Sequence, residues 1–147
     1  MEKNEPKLHN AKVKDLKKEI MRKWHLIDAK DQYLGRFVSQ IIKFLRGKNK
    51  ISFAPNIDAG DYVIITNADG LKISGNKNLQ KMYHHFSGYP GGISSTNFRD
   101  LFAKDPEKVL KLAVWGMLPK NKLRAKFMKR LKVFRDSNHP YADKLNN

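Results

Sequence analysis

The chain has 147 residues, 40% of them hydrophobic, which is the length of one ordinary domain and enough apolar material for a packed core. Thirty lysines and arginines against fourteen acids leave a net charge of +16 and a pI near 10.1, which points to a polyanionic partner, nucleic acid before anionic membrane. The absence of cysteine excludes disulfides, thiolate metal sites and a cysteine nucleophile, and no apolar run reaches the roughly 18 residues that a membrane-spanning helix needs.

Residues 1–22 are polar and mixed in charge. Leu8, Val13, Leu16, Ile20 and Met21 recur loosely at helical spacing, so this stretch reads as a mobile or conditionally helical extension. It lacks the apolar centre of a secretory signal and the acid-poor bias of a transit peptide, so the expected location is the compartment of synthesis, the cytoplasm before an organelle. The domain proper is expected over residues 23–140, with 141–147 as a short tail.

Trp24 to Ala29 predicts a short, mostly buried strand. Leu34, Phe37, Val38, Ile41, Ile42 and Leu45 then form an apolar stripe at helical spacing, and Gly47 supplies a stop. Tyr62 to Asn67 is the strongest strand signal, β-branched and apolar on both faces as a central parallel strand requires. Strand, helix, strand predicts a right-handed βαβ unit.

Leu71–Ser74 reads as a third short strand, Gly75-Asn76 as a turn, and Leu79 to Phe86 as an extended continuation. Ser87 to Gly92 is a loop of turn formers. Phe98, Leu101 and Phe102 suit a short helix. Asp105-Pro106-Glu107 reads as N-cap, first-turn proline and first-turn acid of the next helix, whose apolar face is Val109, Leu110, Ala113 and Met117. Leu123, Phe127 and Leu131 mark a last helix, with Val133 and Phe134 as a final strand. The sum is one α/β domain with a small, mainly parallel sheet and helices on both faces.

The charge is uneven. Residues 93–147 carry thirteen basic and five acidic side chains, and Pro119 to Arg135 holds eight basic residues and no acid. A one-sign block repels itself unless something neutralises it. Lys120, Lys122, Arg124, Lys126, Lys129, Arg130 and Lys132 are therefore the leading RNA-binding candidates. Lys122, Lys126, Lys129 and Arg130 are expected to face outward from the last helix. Such cations fix position on phosphates without reading bases. Arg36, Lys48, Lys50, Lys77 and Lys81 are further candidates around the first helix and the Gly75 turn.

Other motifs carry less. Neither G-x-x-x-x-G-K-[ST] nor G-x-G-x-x-G occurs. His84 and His85 are adjacent and on a strand point to opposite faces, which argues against a shared metal. His85 beside Tyr83 fits stacking or hydrogen bonding to RNA and equally a packed or solvent-facing histidine. Asp58 and Asp61 resemble an acid pair of a metal-dependent nuclease, but their Asn56-to-Asp61 setting is turn chemistry and no partner base or nucleophile assembles around them. A non-catalytic RNA-binding regulator fits the same chemistry. Trp115 and Tyr89 suit base stacking, with core packing the stronger reading for Trp115.

Leu34-Gly35-Arg36, Arg46 to Lys50, and Pro55 through Asp58 to Gly60-Asp61-Tyr62 together resemble the bacterial-type large-subunit ribosomal protein L-thirteen family. So do Asn67-Ala68, Gly75-Asn76-Lys77, Ser87 to Gly92, and Val114 to Pro119 followed by the basic helix and Leu131 to Phe134. The likeness runs in order from about Trp24 to Pro140. It implies a three-layer α/β fold with a four-stranded parallel sheet. It also implies large-subunit ribosomal RNA and neighbouring ribosomal proteins as partners, and a role early in subunit assembly. No catalysis, cofactor, metal, membrane or small-molecule substrate is expected. The chain departs from the family pattern at Trp115, where lysine is common, and after His139-Pro140.

Overall fold

The computed structural model describes residues 21–145. The extension expected over 1–22 lies, but for its last two residues, outside the described residues.

The first strand, β1 (Trp24–Asp28), leads through Ala29 to Tyr33 into α1 (Leu34–Arg46). Leu34, Phe37, Val38, Ile41 and Leu45 of the expected stripe are buried. Gly47 adopts φ 72°, a left-handed conformation natural to glycine, and its N–H donates to Phe44 O at 3.0 Å, closing the helix. β2 (Tyr62–Thr66) pairs in parallel with β1, Leu26 opposite Ile64, and with β5 (Leu131–Val133), Ile64 opposite Lys132. The order β1-β2-β5 puts β2 in the centre, which is why Val63, Ile64 and Ile65 are all fully buried.

Three strands thus form the parallel sheet. The stretch Leu71–Ser74 adds one parallel bridge, Tyr33 to Lys72, in place of the fourth strand that the resemblance implied. Lys72 and Ser74 are exposed, and the chain turns at Gly75, φ 66°, before a longer ladder forms.

After a one-turn helix, α2 (Lys77–Gln80), β3 (Met82–Phe86) and β4 (Ile93–Asn97) pair as a separate antiparallel ribbon, Phe86 opposite Ile93. α3 (Phe98–Lys104) and α4 (Pro106–Met117) follow. Asp105 caps α4 as expected, accepting the Lys108 N–H at 2.9 Å. Val114 is buried on α4, whereas Met117, expected on the apolar face, is half-exposed at the helix end. α5 (Arg124–Arg130) stops one residue before Leu131, which begins β5 rather than completing the helical stripe.

The buried residues of α1, α3, α4 and α5 join Val63, Ile65, Leu131 and Val133 in one core on one face of the sheet. The opposite face carries Trp24, Leu26, Tyr62 and Ile64. Among the described residues its cover is the C-terminal segment with the 3-10 turn Ala142–Lys144, where a second helical layer was expected. Trp24 stacks on Tyr62 at 4.2 Å between centroids, Tyr141 stacks on Trp24 at 5.5 Å, and Phe134 lies 6.0 Å from Tyr141. Flat rings at the start of two adjacent strands are covered well by one more ring, so a helix is not needed there.

Candidate nucleic-acid interface

The basic run from Pro119 to Arg135 does not form a single surface. Lys120, Lys122, Lys126 and Lys129 are exposed. No acid occurs between them, and α5 holds Lys126 and Lys129 on a helix anchored by Phe127. These four side chains can approach several phosphates together without disturbing the core.

Arg130, expected to face outward, is buried with 5% exposure. Its guanidinium forms a bidentate pair with Asp58, 2.6 Å from Nη1 to Oδ2 and 2.5 Å from Nη2 to Oδ1, and Nη2 donates to Leu45 O at 3.3 Å. It ties α5 to the C-terminal end of α1. The signal was present in the sequence: Arg130 stands seven residues after Leu123, on the same face as Leu123 and Phe127. Lys132 is half-buried opposite Ile64, on the face of the sheet away from the helices.

Arg124 is only partly accessible. Its guanidinium lies 3.9 Å from the Trp115 ring centroid and donates to Trp115 O. Trp115 is 42% exposed rather than packed in the core, because it sits on the outer side of α4 with the arginine as its cover.

At the C-terminal end of α1, Lys48 is exposed while Lys50 is turned inward to Asp61. Asp61 is buried and also accepts the Lys23 N–H at 3.1 Å, with His25 Nε2 at 3.1 Å. Burial alone pushes the Asp61 carboxyl up, but the bonds from Lys50, the Lys23 backbone and His25 outweigh it and hold the group below its ordinary value. Asp58 and Asp61 are therefore each committed to cations of the chain's own. The glycine between them is forced by packing: a Cβ on Gly60 would collide with Leu45 O and lie 2.8 Å from Arg130 Nη2.

Arg36, Lys77 and Lys81 come together elsewhere, around a groove of about 880 Å³ between the start of α1, the Gly75 turn and the end of α4. Ten helical steps from Arg36 to Arg46 span about 15 Å at 1.5 Å per residue, and Lys48 follows the Gly47 cap, so these two candidates mark opposite ends of α1. Tyr83 also lines the groove, and Lys81 Nζ lies 5.1 Å from its ring centroid. Burial pushes the Tyr83 phenol up from its ordinary value. The tyrosines and the exposed α4 side chains of this groove were missed in the sequence, since they come from four separated segments. His85 is exposed on β3, apart from the groove lining, and Ser94 Oγ donates to its carbonyl at 3.4 Å.

The model of the family described as Ribosomal protein L13 matches residues 22–140. A protein of Chlorobium limicola named "Large ribosomal subunit protein uL13" is 50% identical over 124 residues, 84% of this chain and 83% of the relative. Proteins of the same name from Coxiella burnetii (strain CbuG_Q212) and Acidovorax sp. (strain JS42) are 48% and 50% identical over 124 residues, 84% of this chain and 87% of each relative.

Proposed function

Because the chain belongs to the ribosomal protein L13 family, we propose that it is a non-catalytic constituent of the large ribosomal subunit. In this reading it binds large-subunit ribosomal RNA through cationic side chains and supports early subunit assembly in the cytoplasm. Neighbouring large-subunit proteins are its other partners. It needs no cofactor. The binding domain spans residues 23–140, flanked by the 1–22 extension and the 141–147 tail.

The observation that carries this reading is the acid-free group of exposed lysines on and before α5, namely Lys120, Lys122, Lys126 and Lys129. Arg36, Lys48 and Lys77 add three further exposed cations. Arg130 and Lys50 support the fold instead, since each is bound to an internal carboxylate. The nuclease alternative would require Asp58 and Asp61 to be free for a metal, and their ion pairs with Arg130 and Lys50 speak against it.

The test is filter binding of the full chain to transcribed large-subunit RNA across a salt series. Six to eight phosphate contacts give a log–log slope of roughly −4 to −7. Replacing Lys122, Lys126 and Lys129 together with Gln should weaken binding and flatten that slope by about 2 to 3. An unchanged slope in the triple variant would remove α5 from the interface. In a lysate, the protein should sediment with the large subunit after low magnesium splits the ribosome; recovery only as free protein at the top of the gradient would sink the ribosomal reading.

A further inference from the structure

The groove at the start of α1 differs in kind from the lysine surface of α5. Its rim carries the three cations Arg36, Lys77 and Lys81, and among the described residues no carboxylate lines it. Its apolar part includes Ile73, Leu112 and Met117, the last two being 38% and 50% exposed. The Tyr83 hydroxyl is buried without a hydrogen-bond partner. A volume of about 880 Å³ lies in the range of small-ligand sites and cannot admit a double helix.

Two glycines make the groove deeper. Gly35 in the first turn of α1 and Gly116 in the last turn of α4 both line it, and a Cβ on either would meet nothing within 4 Å. Glycine weakens a helix relative to alanine, and neither position has a positive φ or a close neighbour that requires it. The first turn of α1 also has no side-chain cap and no acid, which favours an anion beside it, with the Leu34 N–H already donated to Lys72 O.

A bare phosphate would use the cations and leave the apolar wall unexplained. A nucleotide swung out of a folded RNA uses both, because its phosphate is anionic and its base is flat, apolar on its faces and polar on its edge. We propose that this groove receives one extrahelical nucleotide of the RNA. Arg36, Lys77 and Lys81 hold its phosphate, and Ile73, Leu112 and Met117 pack against its base. The inference rests on the RNA-binding reading above and adds a single-nucleotide pocket to it.

The experiment plugs the pocket without removing charge. Gly35→Leu and Gly116→Leu, combined in the full chain, place side chains into open space. Affinity for transcribed large-subunit RNA should fall at least tenfold, with the salt slope flattened by no more than about one, the share of the single expelled phosphate, and a cooperative thermal melt retained. In parallel, the wild-type complex is irradiated at short ultraviolet wavelength and its peptides are mapped. A nucleotide adduct is expected on the peptide holding Tyr83 or Tyr33, and it should vanish in the plugged variant while adducts elsewhere persist. Wild-type affinity in the plugged variant overturns the pocket, as do adducts on the α5 peptides with none at the groove. Either result leaves the RNA-binding reading standing; failure of the wild-type chain to bind the RNA at all removes both.

Discussion

At the scale of single residues, the cations of this chain divide into those that face solvent and those that close the fold. Arg130 belongs to the second group. Truncating its partner by Asp58→Ala leaves a guanidinium with 6% side-chain exposure unpaired, and the expected loss is about 3 kcal/mol in urea denaturation. Lys126→Ala, an exposed change, should stay within about 0.5 kcal/mol. Equal effects of the two would contradict the assignment of Arg130 to the interior. Asp61 makes a pH prediction. Its carboxyl is held below the ordinary 3.8, so it contributes stability that is fully present above that value and is lost as pH falls through the lower folded-state value. Thermal stability should therefore drop below about pH 4, and Asp61→Asn should lessen that drop. A drop of unchanged size in the variant would show that other carboxylates carry it.

At the scale of elements, what was legible in the sequence follows from burial. α1 and β2 are buried on a defined face or on both, so their periodicity was strong. α4 was announced by its cap, and Asp105→Ala should cost about 1 kcal/mol while leaving RNA affinity unchanged. A loss of affinity would place the α4 start at the interface. The β3–β4 ribbon left little trace: every residue of β4 is exposed, so no apolar alternation marked it. Leu131 fitted both the helical stripe of α5 and a strand, and pairing with Val63 decided it. The exposed lysines of the candidate site were readable as a one-sign block. The inward turn of Arg130 and Lys50 was not read: the Arg130 carboxylate lies 72 residues back in the chain, and the Asn56-to-Asp61 turn that brings Asp61 to Lys50 has no periodicity to fix its direction. The groove was not visible as a unit either, because the ridges that form it meet only after the sheet and helices pack.

At the scale of the whole molecule, the same charge acts in two directions. A net charge of +16 repels itself in the compact state, and salt screens that repulsion over about 10 Å at 0.1 M. The free chain should thus melt at a higher temperature in 0.3 M than in 0.03 M sodium chloride, while its affinity for RNA falls over the same range. Melting that is indifferent to salt would mean that the internal pairs already balance the surface charge. RNA, in that picture, supplies the counter-charge that the fold lacks.

The position of β5 has a consequence for the timing of synthesis. Val63 waits for Leu131, and Asp58 waits for Arg130 across 72 residues of chain. Synthesis proceeds from the N-terminus, so a nascent chain that stops short of α5 has β2 with an open edge and Asp58 without its buried bidentate partner, only the longer contact to Arg22 remaining. The segment Arg124–Val133 both closes the sheet and brings the exposed lysines of α5. Tertiary closure and the exposed lysines of α5 are thereby acquired together, and a product terminated before α5 has neither.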